Sequence, residues 1–588
     1  MLFSSLFAKT AEYEKLAHAL SAPGACALFG LPGSGRAMVY AALAKETGRF
    51  LCIVTPGEAE ATRFAGDLNA LGIPTAVFPA RDYVLRPIEG TAREYEYRRL
   101  SVLGDIVGGR LQAVCVPDEG LTQYTTPRAE FCNNTRTLHP GDTVPRTELT
   151  ALLYNAGYAR RAQVDGPGQF SIRGDIVDLY APDMKLPVRM EFWGDEIDTM
   201  HTFDLATQRR EDPIEKIYVS PAREVLFGSP AEAAELLRAF IKKFRGKKRT
   251  ALEACLATEL AQLDGGALPV NMDKYLAVRY PQPATLLDYF DDPLLVLEEP
   301  ASLREAERAT TYRRGEEISA LLQDGVLAAG LDNLYAENGY LWAQAANHRT
   351  ICAENFARSM PDIPLKDIVN APAHTLPAWG GEVTSLLEDL QPLCNGGAAV
   401  TVLAGTQRAA AGLAADLRTK GLLVTTDPDA APGAGLVQVL PGQLSAGCSV
   451  PFAKYALFTA RAFGISSAQK KKKRNKDALN SLSEIAVGDL VVHQNHGIGR
   501  YAGIQRMAVQ GVTKDYLRIE YDKKDVLYVP VTQLDLLSRY TAPNDSDNAK
   551  LSRLGGSDWA KTRKKVKAAT EQMAKELIEL YALSLIHI

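Results

Sequence analysis

Between residues 24 and 78 short apolar runs alternate with segments of helical composition, and few architectures can accept that order. Residues 25–30, 50–55 and 75–78 are apolar and strand-like, whereas 37–44 and 58–71 suit helices, the latter amphipathic. Strand, helix, strand in succession requires parallel pairing with crossover helices, hence an α/β lobe. The same rhythm returns at 398–403, 407–420 and 422–425, which predicts a second α/β lobe. A chain of 588 residues also exceeds one hydrophobic core; its length suggests roughly four domains.

Residues 118–208 have a different character. The segments 170–173, 176–180, 188–192 and 196–200 are short strands set off by Gly, Pro and Asp, which predicts a small, mostly antiparallel α+β module inserted into the first lobe. Helical stretches at 231–242 and 251–263 and an apolar strand at 294–297 follow. The polar linker 466–480, with Lys470 to Lys473, Arg474 and Lys476, is read as a solvated hinge. Strand-like runs at 489–493, 516–521 and 526–531 then have the spacing of a small SH3-like (Tudor-like) β-barrel. A basic amphipathic helix is expected over 559–580, and residues 584–588 break its pattern as a truncated or artefactual end would. The expected fold is therefore a multidomain α/β chain. Residues 1–117 and 209–345 form the first, helicase-like lobe around the insert 118–208. Residues 346–462 form a small second α/β domain, 463–484 the basic linker, 485–545 the β domain, and 546–588 a linker into a further region.

Composition narrows the function classes. Apolar residues make up 46% of the chain and the net charge is −4, from 66 basic and 70 acidic residues. A folded protein is expected, and any basic surface must be local. The eight cysteines contain no CxxC pair, which suits reduced thiols buried as small hydrophobes. No signal layout and no apolar stretch near the ~18 residues of a membrane span is visible, so a cytoplasmic location without membrane association is expected.

The sharpest local motif is Gly30-Leu-Pro-Gly33-Ser-Gly35-Arg36-Ala37, between a strand and a helix. Its glycines have the spacing of a phosphate-cradling P-loop. Arg36 stands where a Lys ammonium would reach the phosphates, and a planar guanidinium is not its equivalent. Ala37 stands where a hydroxyl would ligate Mg²⁺. Such a loop cannot organise phosphoryl transfer in the usual way, so the site is read as degenerate, a retained tight turn, with residual nucleotide binding as the lesser alternative and no hydrolysis expected. Its acidic partner would be Glu298-Glu299, after the run 294–297 and before Pro300. No catalytic residue is assigned. His493 and His496 lack the spacing of a helical zinc pair and a third ligand, so a tight inter-strand loop is expected there and no metal site. GxSxG, Cys–His and glycosidase-type signatures are absent from the sequence.

Residues 488–501, Gly-Asp-Leu-Val-Val-His-Gln-Asn-His-Gly-Ile-Gly-Arg-Tyr, resemble the RNA-polymerase-interacting module of the transcription-repair coupling factor family, shared with CarD-type regulators. The likeness continues through 515–521, 527–531 and 538–540 into Leu-Gly-Gly-Ser-Asp-Trp at 554–559. In the insert, residues 166–180 and 187–197 resemble the module that this family shares with the excision-repair protein UvrB. The first lobe is accordingly UvrB-like, and the family's own copy of the P-loop is degenerate.

The resemblance implies recruitment. The β domain would engage RNA polymerase, through its β subunit, when stalled at a lesion, and the insert would dock UvrA. A C-terminal motor, outside this chain, would supply ATP- and Mg²⁺-dependent translocation on double-stranded DNA upstream. No cofactor is expected in the present residues, and a monomer is expected. The polymerase contact is expected at an exposed strand edge, with Tyr516, Leu517, Arg518, Ile519 and Tyr521 as candidates; either Leu517 and Ile519 or Tyr516 and Arg518 would instead be core. For UvrA the candidates are Arg160, Arg161, Phe170 and Arg173, arginines beside an aromatic, although Phe170 could equally belong to the sheet's core. Two rivals are an active UvrB-like ATPase, which would need the residues that Arg36 and Ala37 replace, and a CarD-type regulator, which would not need the first 460 residues.

Overall fold

A computed structural model of the chain describes residues 6–86, 93–205, 207–360, 363–380, 383–431, 433–460, 488–493, 496–509, 512–522, 525–530, 537–539 and 551–552. The expected linker 466–480 and the expected helix 559–580 lie outside these residues. The architecture is mixed α/β with several separate sheets.

The largest is a seven-stranded parallel sheet. Its spatial order is Leu365–Asn370, Gly24–Phe29, Arg349–Glu354, Leu294–Glu298, Leu51–Thr55, Ala113–Pro117 and Thr75–Val77. Alternate residues of its central strands feed two different cores. Cys26, Leu28, Ile53, Val296 and Ile351 face one side, while Ala27, Val54, Val116, Leu297 and Cys352 face the other. Both faces are covered, which is why these strands read as unbroken apolar runs. The strands Arg349–Glu354 and Leu365–Asn370 complete this sheet, so the residues from 349 to 370 belong with the first lobe and not with the segment 346–462.

The insert closes on itself. Arg136–Leu138 pairs antiparallel with Ile217–Val219, joining the incoming and outgoing chain. Between them lies a six-stranded sheet in the order Arg210–Pro213, Glu196–Phe203, Val188–Trp193, Ile176–Tyr180, Gln169–Arg173 and Ala159–Arg160, antiparallel except for its last pair. The module thus runs from about 136 to 219, not 118–208. Leu121 and Phe131, from the residues before it, pack in the core of the parallel sheet instead. The root of the insert is fixed by buried charges: Arg81 and Arg99 share Glu224, and Arg81 also holds Asp273 at 2.7 Å.

The second lobe is a six-stranded sheet in the order His374–Leu376, Gly447–Val450, Tyr455–Thr459, Ala399–Leu403, Leu436–Leu440 and Leu423–Thr425. Helices Val383–Asn395 and Gln407–Thr419 pack on one of its faces. Its other face, through Ala399, Leu440, Cys448 and Tyr455, joins the core that contains Ala37, Met38 and Ala41 of helix Gly33–Thr47. At this seam the Asp67 carboxylate accepts from the Ser445 amide (2.7 Å) and hydroxyl (2.6 Å). Burial pushes the Asp67 carboxyl above its ordinary value, against the pull of both bonds.

The C-terminal module is a five-stranded antiparallel sheet, ordered Val526–Pro530, Val512–Glu520, Gly497–Val509, Leu490–His493 and Leu537–Arg539. Val491, Tyr501, Leu517, Ile519, Tyr521 and Val529 form its small core.

Asp67→Ala leaves the Ser445 amide without its buried acceptor. It should cost about 1–3 kcal/mol and open the seam, seen as a lower urea midpoint and faster proteolysis between the lobes. An unchanged midpoint would show that the apolar contacts alone hold them.

Candidate functional sites

The glycine loop leaves the strand Gly24–Phe29 at Gly30, whose φ of 90° lies in the left-handed region. A side chain there would also meet the Ala371 carbonyl oxygen at 3.0 Å, so both conformation and space require glycine. Helix Gly33–Thr47 starts without a side-chain cap, and Gly35, Arg36 and Ala37 of its first two turns are all buried. The Arg63 guanidinium lies against Gly33, and the chain near Ala371 crosses over Gly30.

Arg36 does not point to an open cleft. Only 2% exposed, it reaches across to the strand Leu294–Glu298, with Nη1 3.2 Å from Glu298 Oε2 and 2.8 Å from Glu299 Oε1. The Tyr40 hydroxyl, one turn further along the helix, donates to Glu298 Oε1 at 2.5 Å. Burial works against the Arg36 charge, but Glu298, Tyr40 and Glu299 together hold it above its ordinary range. Burial likewise pushes the Glu298 carboxyl up, opposed by Arg36 and Tyr40. Glu299 has a positive φ of 50° just before helix Pro300–Gln323, a strained geometry for a non-glycine residue, and its amide donates to the Ala353 carbonyl. The residues singled out in the two motifs, Gly30, Gly33, Gly35, Arg36, Ala37, Glu298 and Glu299, therefore converge on one place. There the Arg36 guanidinium pairs with both carboxylates.

On the insert, the four candidates separate. Arg160 and Arg161 are exposed on the edge strand, and the Arg161 amide donates to the Phe170 carbonyl. Phe170 is fully buried, packed edge-on against Tyr154 at 5.4 Å, so it belongs to the core and presents no surface. Arg173 is exposed and pairs with the buried Asp178 at 2.5 Å, a carboxylate that Arg189 also holds at 2.7 Å. The strong surface feature is one not singled out from sequence. Trp193 is 84% exposed at the hairpin tip between Val188–Trp193 and Glu196–Phe203. Register places it on the Arg173 face, since Arg173 pairs Ile176, Ile176 pairs Glu191, and Trp193 lies two residues beyond. The alternation in Val188-Arg-Met-Glu-Phe-Trp193 could have flagged it, because Phe192 takes the inward position.

In the C-terminal module the expected edge is an interior strand. Residues 516–520 pair on both sides, with 500–505 and with 526–530. Leu517, Ile519 and Tyr521 are core, and Arg518 pairs with Glu520 at 2.8 Å. Among the described residues, the outer strands Val526–Pro530 and Leu537–Arg539 each have one neighbour, and a further stretch of edge is free within the long strand Gly497–Val509. Leu490–His493 covers only Gly497–Arg500 of its neighbour, so the 504–509 backbone pairs only with 512–517 and is open on its other side. His493 and His496 lie with ring centroids 4.8 Å apart, and among the described residues no third metal-ligating group joins them. Burial, helped by His496, lowers the His493 pKa to about 4.

Two family models match at these places. Residues 137–225 match the UvrB interaction domain, and residues 485–541 match the CarD-like/TRCF RID domain. The chain thus carries both matched modules together with a pair of α/β lobes. Along 94% of its length it is similar to the transcription-repair-coupling factors of Bacillus subtilis (29% identity over 571 residues) and Staphylococcus haemolyticus (27% over 572). It spans about half the length of these curated relatives, 48% in each case. The resemblance first seen in the motifs therefore extends over nearly the whole chain.

Arg36→Met strands Glu298 in the interior and should destabilise the first lobe by about 3–5 kcal/mol. Adding Glu298→Gln should restore most of that, as read by denaturant unfolding; a single variant as stable as the double would refute the clamp. For the C-terminal module, His493 charges in the unfolded chain near pH 6.5 but in the fold only near 4. Stability present above about 6.5 should be lost as pH falls towards 4, and His493→Gln should flatten that part of the profile.

Proposed function

We propose that this chain acts in transcription-coupled nucleotide excision repair, as the part that joins a stalled RNA polymerase to UvrA. The presence in one chain of a UvrB interaction domain and a CarD-like/TRCF RID domain carries this reading. The five-stranded module, an SH3-like barrel, engages the β subunit of the polymerase. The free backbone edge at 504–509 suits that role, because an added strand needs unpaired N–H and C=O groups, which the interior strand 516–520 lacks. The insert docks UvrA through Arg161, Arg173 and Trp193; the exposed Trp193 shares a sheet face with Arg173 and would serve as an interface anchor.

The glycine loop is the relic of a P-loop, and the Arg36–Glu298–Glu299 clamp takes the place of nucleotide and metal. ATP and Mg²⁺ belong to a motor outside the 588 residues, which pulls on double-stranded DNA upstream and releases the polymerase. The chain works as a cytoplasmic monomer. Buried Arg36 and Ala37, with no metal-ligating hydroxyl, weigh against a rival active ATPase, and robust DNA-stimulated turnover by these residues would overturn that part of the reading.

Capture assays on the two partners test it. Trp193→Ala with Arg173→Glu should lower UvrA capture at least about tenfold, as loss of a hot spot of about 2 kcal/mol predicts, and leave polymerase capture intact. Excising 506–508 together with their partners 513–515 removes the free edge and should have the opposite effect. Loss of both partners in either variant, or of neither in both, would count against the assignment.

A further inference from the structure

Six of the eight residues at 242–249 are basic: Lys242, Lys243, Arg245, Lys247, Lys248 and Arg249. All six are exposed, in a chain whose net charge is −4, and no Asp or Glu occurs between Glu235 and Glu253. They crown an antiparallel helical hairpin, Pro230–Lys242 and Lys247–Asp264, whose inner faces pack through Leu237, Ile241, Leu252 and Leu256. The tip is held in place: Phe240 and Phe244 meet edge-on at 5.1 Å, and Gly330 seats against both rings.

Two features have no explanation within the fold. Helix Lys247–Asp264 begins with three cations and no acid in its first turn, and its N-cap Gly246 supplies no side-chain acceptor. Cations at a helix N-terminus oppose the macrodipole, at a cost of about 0.3–1 kcal/mol each. Among the described residues one ion pair reaches the six, Arg249 with Glu253 at 2.8 Å. A polyanion at the tip would reverse both terms at once, because its phosphates would neutralise the cations and complement the helix N-terminus.

We infer that this hairpin tip is a docking surface for the backbone of duplex DNA, separate from the insert and from the C-terminal module. A protein partner would be anchored by an exposed aromatic, but the tip's one aromatic, Phe244, turns towards Phe240. A membrane surface would need apolar residues to insert beside the cations, and none is exposed from 242 to 250. Point charges without apolar or base-reading groups give a sequence-independent phosphate contact. The choice of duplex DNA over other nucleic acids rests on the proposed role at a stalled polymerase.

The test is binding of a labelled duplex of about 30 base pairs across a salt series starting near 50 mM. The full chain is compared with the variant Lys242→Gln, Lys243→Gln, Lys247→Gln, Lys248→Gln. The control carries Lys9→Gln, Lys185→Gln, Lys216→Gln and Lys420→Gln, the same change in net charge at exposed lysines elsewhere. The hairpin variant should lose at least about tenfold in affinity at low salt, and its log–log salt slope should fall by about 3.6, near 0.9 for each of the four lost contacts. The control should keep its slope. Equal losses in both variants, an unchanged slope in the hairpin variant, or no duplex binding by the unsubstituted chain would each overturn the inference. So would a hairpin variant that binds duplex normally but no longer binds anionic lipid vesicles. Polymerase and UvrA capture by the same variants is expected to be unchanged, so failure here is distinguishable from failure of the recruitment reading.

Discussion

A parallel sheet must be covered on both faces, and that requirement organises most of this chain. The central strands of the seven send alternate side chains into two cores, so both of their faces are buried. One face is closed by helices that follow the strands and by the residues flanking the insert, including Leu121 and Phe131. The other is closed by helix Gly33–Thr47, and that helix is closed in turn by the second lobe through Cys448, Val450 and Tyr455. The second lobe is thus the outer cover of the glycine-loop helix, with Asp67 and Ser445 as the polar stitch along the seam.

The buried charge at the old motif follows from this burial. Once the helix is covered on its outer side, the buried Glu298 at the end of a central strand must be neutralised from within, and Arg36 does so with help from Tyr40, while also pairing with the half-buried Glu299. One guanidinium nitrogen, Nη1, meets both carboxylates, 3.2 Å from Glu298 and 2.8 Å from Glu299. The residue that departs from the expected phosphate-binding pattern, Arg36, is therefore the one that makes the covered site electrostatically tenable. The second buried cluster, Arg81 and Arg99 with Glu224 and Asp273, does comparable work at the root of the insert.

With both lobes occupied in packing, interaction surface is left to the modules that project from them. The insert turns Trp193 and Arg173 outward, the C-terminal module leaves the 504–509 backbone unpaired on one side, and the helical hairpin exposes six cations. These three surfaces differ in chemistry: an exposed aromatic sharing a face with an arginine, a bare main-chain edge and a field of point charges.

The sequence by itself determined the α/β rhythm, the strands of the insert, the glycine turn at Gly30 and the two family resemblances, because these rest on local periodicity and backbone conformation. It did not determine where strands join. Residues 349–370 complete the first sheet, and residues 118–135 lie outside the insert, because strand partners are chosen by long-range pairing that local composition does not encode. It also could not separate a face from its reverse. Phe170 and Trp193 are both aromatic residues in short strands, yet one is fully buried and the other 84% exposed, since a one-residue step in register exchanges the two sides of a sheet. Residues 516–521 read as an edge from their pattern, whereas the tertiary structure gave them two neighbours and left 504–509 with one. Arg36 was legible as the wrong residue for a phosphate; only the fold decided that it would find Glu298 and Glu299 instead, because that contact joins residues 263 positions apart.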